Sequence, residues 1–132
     1  MLSIKLMFYK ICIMLSQLKN GLFEDVSNKI TMNSAWTAVY KYGYRIGNIV
    51  FFQIEATTSS FIADYEYTLA ELGQGIRSYQ TVGGTCHITD ANYTIRTMAH
   101  YLVKNGIPST ITVRANDTVG QYWFVSGFYR IA

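Results

Sequence analysis

A chain of 132 residues, half of them hydrophobic and only 14% charged, is long enough for one core and too apolar to be disordered. Eleven tyrosines and seven phenylalanines tilt it toward β structure, and so low a charge with so many tyrosines suits a protein that lives in an assembly. Three of the eleven Lys and Arg residues, Lys5, Lys10 and Lys19, fall in the first 20 positions, and the other eight balance eight acids; Arg45, Arg77, Arg96, Arg114 and Arg130 are scattered singly, so no nucleic-acid partner is expected.

The opening "MLSIKLMFYKICIMLSQLKNGLF" differs from everything after it. As a signal peptide it is interrupted by Lys10 and lacks a small-x-small cleavage site, and as a membrane span it is too short. Its spacing reads instead as a helix: Ile4, Ile11 and Leu18 recur every seven residues, as do Met7 and Met14, and as do Phe8, Leu15 and Leu22. So apolar a helix needs a partner. That partner is either the same helix in other copies of the chain, another protein, or the chain's own domain. Residues 1–22 are thus a helix and candidate oligomerisation stalk, and 23–33 read as a polar connector.

From Trp36 a two-residue period takes over. Trp36, Ala38, Tyr40, Tyr42 and Tyr44 are expected on one face of a strand, and Gly47 with Asn48 makes a tight turn. The returning strand carries Val50, Phe52, Ile54 and Ala56 on one apolar face, with Phe51, Gln53 and Glu55 grading from apolar to charged on the other. Residues 68–79, "TLAELGQGIRSY", have room for one or two helical turns, and "TVGGT" reads as a turn. Four further β-rich stretches, "TCHI", "NYTIRTMAHYLV", "STITVRA" and "QYWFVSGFYRI", are separated by turn chemistry. The expected fold is all-β, an antiparallel sandwich or barrel over residues 34–132, with a short N-terminal α-helix.

Chemistry-bearing groups are sparse. Cys12 and Cys86 lie too far apart to frame a disulfide scaffold or a zinc site, and in a strand Cys86 and His87 point to opposite faces. "GQG" and "VGGT" lack the Lys-Ser or Lys-Thr of a phosphate loop. Neither cofactor nor metal is expected, and no catalytic residues are assigned. Asp64 and Glu66 keep open a glycan-cleaving alternative, because a glycosidase needs two carboxylates across a sugar.

Three stretches, residues 40–57 "YKYGYRIGNIVFFQIEAT", 105–117 "NGIPSTITVRAND" and 122–132 "YWFVSGFYRIA", together resemble the C-terminal head domains of bacteriophage tail-fibre and baseplate proteins, particularly of phages that infect Gram-positive bacteria. The resemblance covers residues 34–132. It departs from the family where a proline-containing element is usual and this chain reads "TLAELGQGIRSY". The resemblance implies a virion tail-tip protein, made in the bacterial host cytoplasm, trimeric, joined to other tail proteins, and binding a host cell-surface glycan or protein. A purely structural tail component is the alternative.

Sugar binding asks for flat rings beside polar side chains in loops. Asp64, Tyr65, Tyr67, Tyr79, Asn92 and Tyr93 meet that description and are the candidate glycan contacts. Trp36 and Trp123, inside strands, are expected in the core or an interface.

Overall fold

The computed structural model describes residues 2–17, 23–59, 61–118 and 120–131. Among these described residues one helix, α1 (Leu2–Gln17), precedes nine strands: β1 (Phe23–Asp25), β2 (Ile30–Met32), β3 (Trp36–Ile46), β4 (Ile49–Thr58), β5 (Tyr67–Leu72), β6 (Val82–Thr89), β7 (Ile95–Lys104), β8 (Ser109–Ala115) and β9 (Tyr122–Arg130). The strands form one antiparallel sheet in the order β1-β3-β4-β9-β6-β7-β8-β5-β2. The protein is all-β with a short N-terminal helix, as its turn-punctuated alternation predicts.

The sheet is curled into a half-barrel, and its two edges come from consecutive pieces of chain. The segment expected as a polar connector supplies both: β1 pairs with β3, and β2 pairs with β5. A 3₁₀ turn at Ser27–Lys29 carries the chain from one edge to the other. On one side the Val26 amide donates to the Gly43 carbonyl at 2.8 Å, and the Gly43 amide donates to Ser27 Oγ at 2.9 Å. On the other side the Gly73 amide donates to the Lys29 carbonyl at 2.8 Å. Polar residues thus bond across the seam while Val26 and Ile30 are buried beneath it. Gly43 is what lets them in: a Cβ there would lie 2.7 Å from Ile30 Cδ1.

The β3–β4 hairpin closes at Gly47 and Asn48, with Gly47 at φ +58° as the tight turn requires. Val50, Phe52, Ile54 and Ala56 are all buried. On β3, however, the five residues expected on one face are divided. The register slips between Ala38 and Tyr40, leaving Val39 as an extra residue. Such a bulge reverses the alternation beyond it. Trp36 is therefore buried against Trp123, whereas Tyr40, Tyr42 and Tyr44 stack along the outer face at 5.4 and 6.4 Å.

Two other local expectations change. Residues 67–72 are strand, not helix: β5 pairs with β8, and a register shift between Thr68 and Ala70 buries adjacent Leu69 and Ala70, which imitates helical spacing. Gly83 and Gly84 lie inside β6 rather than in a turn, because the Tyr101 ring of β7 covers Gly84 so closely that a Cβ would sit 2.8 Å from it.

Along α1 the described side chains are exposed, Ile4, Met7, Phe8 and Ile11 among them. The side chains of Met14 and Leu15, and Leu18 altogether, lie outside the described residues. No described helix is long and apolar enough to cross a membrane.

Candidate functional site

The antiparallel order gathers the connections at two ends. At one end lie 33–35, 59–66, 90–94 and 116–121; at the other lie 47–48, 73–81 and 105–108. Asp64, Tyr65, Tyr67, Asn92 and Tyr93 belong to the first end. Tyr79 belongs to the second, where its amide donates to the Arg130 carbonyl at 2.8 Å and the Arg130 guanidinium sits 4.9 Å from its ring. The six candidate glycan contacts therefore do not form one surface.

A cleft of about 300 Å³ lies beside the 59–66 loop, lined by Glu66, His100, Leu102, Thr112, Arg114 and Asn116. Strand register builds it. His100 is opposite Arg114 and Leu102 opposite Thr112, so alternation puts all four on one face of β7 and β8. Glu66 enters from the loop and pairs with Lys104. Hydrogen bonds from Lys104 and then Thr112 hold its carboxyl below the usual range, against a small opposing effect of burial. A general acid needs the opposite displacement. Glu66 is instead a standing acceptor, fit to take hydroxyl protons in hydrogen bonds.

The neighbouring loop is fixed by its own contacts. The Asp64 amide donates to the Ala115 carbonyl at 2.7 Å, and Asp64 Oδ1 lies 3.7 Å from Arg114 Nη2. Tyr67 is scaffold: its hydroxyl accepts from the Ile62 amide at 2.8 Å and its ring packs on the core. Tyr65, 5.1 Å from the Tyr67 ring, remains exposed. Asp64 thus borders, through Arg114, a site whose walls His100, Thr112, Arg114 and Asn116 the sequence did not single out, and Tyr65 is not among the residues that line it. Alternation alone puts those strand residues on a common face only once the β7–β8 register is known.

Asn92 and Tyr93 sit on a turn organised by Asp90. Its Oδ1 accepts from the Asn92 and Thr94 amides at 2.9 and 3.1 Å, and its Oδ2 from Arg96 Nε at 2.8 Å. Tyr93 has φ +61° and stacks on Tyr122, ring centroids 5.3 Å apart. These bonds, the Thr94 amide first, hold the Asp90 carboxyl below its ordinary value of about 3.9. A depressed carboxyl stabilises the fold above its unfolded pKa and loses that contribution as pH falls through the folded one. In a carbon-detected NMR titration, Asp90 is expected to titrate below about pH 3.9, with the Tyr93–Tyr122 ring contacts weakening over the same range. A midpoint at or above the ordinary value would contradict this geometry.

Two further groups complete the picture. Cys86 is buried, which pushes its thiol up to about 12, while His87 faces outward and stacks on Phe124 at 5.1 Å. Among the described residues no group of three or more His, Cys, Asp or Glu could hold a metal ion. On the outer face, Tyr42, Tyr44, Phe51, Gln53, Ser126 and Phe128 line a shallow groove of about 410 Å³, with Phe128 63% exposed. Comparison with family models, with curated proteins and with solved structures finds no match.

Proposed function

We propose that this protein is a receptor-binding tip component of a bacteriophage tail fibre or baseplate, and that it grips a host cell-surface glycan as a homotrimer. The observation that carries the binding half of this reading is the cleft between the 59–66 loop and the β7–β8 face. Glu66 supplies acceptors; Arg114 and Asn116 supply donors; Leu102 supplies apolar surface for a sugar ring. Shallow sites of this kind bind weakly one at a time, and display in several copies multiplies them.

Removing the guanidinium takes away charge-assisted hydrogen bonds worth about 1.5–3 kcal/mol each. Arg114→Ala is therefore expected to weaken binding of Gram-positive cell-wall polysaccharide about tenfold or more, measured by biolayer interferometry, with the melting temperature little changed. Full retention of binding in the variant would remove the cleft from the account.

The trimer is supported by α1, whose exposed Ile4, Met7, Phe8 and Ile11 follow heptad spacing. Light scattering of the full chain across a dilution series is expected to give three times the 15.0 kDa chain mass. Ile11→Glu, which puts a charge into the apolar seam, is expected to give the monomer. A wild-type monomer at all concentrations would contradict the stalk.

A second reading, a structural tail component without a receptor site, is favoured by one observation, the exposed aromatic face around Phe51 and Phe128, whose rings are 5.8 Å apart. It requires that face to be covered by other virion proteins, and it predicts no polysaccharide binding by the assembled chain.

A further inference from the structure

Glu55 does not fit its position. Its neighbours on the outer side of β4, Phe51 and Gln53, are exposed, but Glu55 is only 4% exposed, and its Oε1 has no hydrogen-bond partner among the described residues. Aromatic rings surround it. Strand register sets Tyr40 of β3 on one side and Phe124 of β9 on the other. Tyr93 reaches over from the 90–94 turn, its ring 6.0 Å from Phe124, and the Glu55 charge is the chief reason the Tyr93 phenol is raised. The ion pairs found among the described residues engage Glu24, Asp90, Glu66 and Asp64, and none reaches Glu55.

A lone shielded carboxylate is costly, and ring faces, which carry partial negative charge, do not relieve it. The same surroundings suit a cation. The carboxylate supplies the countercharge, the rings add cation–π attraction, and alkyl groups on the cation pack against the rings as the water shell of a hydrated metal ion does not. We propose that Glu55, Tyr40, Tyr93 and Phe124 form a binding site for an alkyl-substituted ammonium group. Tyr93 is the wall that admits it. Tyr93 is 59% exposed and is carried on a turn rather than in a strand. Its left-handed backbone, φ +61°, is an unusual conformation for a tyrosine, and it is held by the Asp90 hydrogen bonds. The site shares no residue with the cleft that Arg114 lines, so loss of polysaccharide binding leaves this proposal standing, and the reverse holds.

The test is NMR titration of the full chain with tetramethylammonium, n-butylammonium and tert-butanol, following the Tyr93 and Phe124 ring protons. Saturable shifts are expected with a cation, and tert-butanol, of similar bulk without charge, is expected to bind at least about tenfold more weakly. Stronger binding of tetramethylammonium assigns the site to a quaternary headgroup, and stronger binding of n-butylammonium to a lysine-like amine; either supports the proposal. Glu55→Gln is expected to weaken the better cation about tenfold. Tyr93→Gly, which removes the ring while relaxing the positive φ, keeps the test valid if Glu55→Gln fails to fold, and is expected to weaken binding about threefold or more. Equal binding of tert-butanol, wild-type binding in a folded variant, or no saturation with either cation up to about 100 mM would overturn it.

Discussion

Gly127→Val is expected to leave the chain unfolded or insoluble. Gly127 lies in β9 opposite Phe52 of β4, on the inward face, and β9 is held on both sides by β4 and β6. A Cβ built at this position runs into the Tyr101 hydroxyl, lies 2.8 Å from Tyr101 Cζ, and lies 3.2 Å from Phe52 Cζ. Tyr101 cannot retreat, because its ring also lies against Gly84 of β6 and edge-on to Phe52, with centroids 5.6 Å apart. One buried tyrosine therefore depends on two glycines from different strands. Overpacking typically costs about 1–3 kcal/mol, and three extra carbons wedged between the Tyr101 and Phe52 rings belong at or above the upper end. Since small domains are stable by only about 5–15 kcal/mol, that loss is a large share of the total. The double variant Gly127→Val with Tyr101→Ala is expected to recover part of it, because the second change vacates the space the first one needs. Thermal melts of the two variants beside wild type decide the matter, and a Gly127→Val protein that melts like wild type would mean this packing is wrong.

Trp123→Ala is expected to cost about 3–5 kcal/mol, the range for removing a buried aromatic from a core that relaxes incompletely. Trp123 is 1% exposed and meets two rings edge-on, Trp36 at 5.3 Å and Phe61 at 4.9 Å. It joins β9 to β3 and to the start of the 59–66 loop, so its loss also loosens the loop that borders the cleft. Trp123→Phe separates packing from polarity. The indole Nε1 has no hydrogen-bond partner among the described residues, so phenylalanine removes no hydrogen bond and relieves a buried donor. Its cost is expected to be less than half that of the alanine variant. Urea denaturation gives both values, and equal costs would show that the indole N–H is satisfied.

Much of this fold was legible in the sequence because alternation is a local signal. The apolar face of β4 and the turn at Gly47 and Asn48 follow from neighbours in the chain. So do the β-rich character of residues 85–131 and the opposite facing of Cys86 and His87. What the sequence hid is where a single residue changes the count. The extra Val39 sends Trp36 inward and Tyr40, Tyr42 and Tyr44 outward, and the shift at Thr68–Ala70 disguises β5. The glycines at 83 and 84 read as a turn because the side chains that cover them, Leu102 over Gly83 and Tyr101 over Gly84, lie on the next strand, far outside any local window. Residues 23–33 read as a connector because the partners of β1 and β2, strands β3 and β5, are found only when the sheet curls.

The functional surfaces were legible only in part, for the same reason. Asp64 was visible as loop chemistry, yet His100, Thr112, Arg114 and Asn116 join it only through the pairing of β7 with β8 and β8 with β5. Tyr79 has loop chemistry as well, and topology sends it to the opposite end. Glu55 looked like the polar end of a graded strand. Its cover comes from β3, β9 and the 90–94 turn, three segments that no local window contains.

The reading of this protein as a glycan-gripping tip is tested most directly by amide chemical-shift mapping of the full chain during titration with cell-wall polysaccharide fragments from Gram-positive bacteria. Saturable shifts are expected to concentrate at Glu66, His100, Arg114 and Asn116 and to be lost in Arg114→Ala. Absence of saturable shifts with any fragment, or shifts confined to the opposite end around Tyr79 and Arg130, would contradict it.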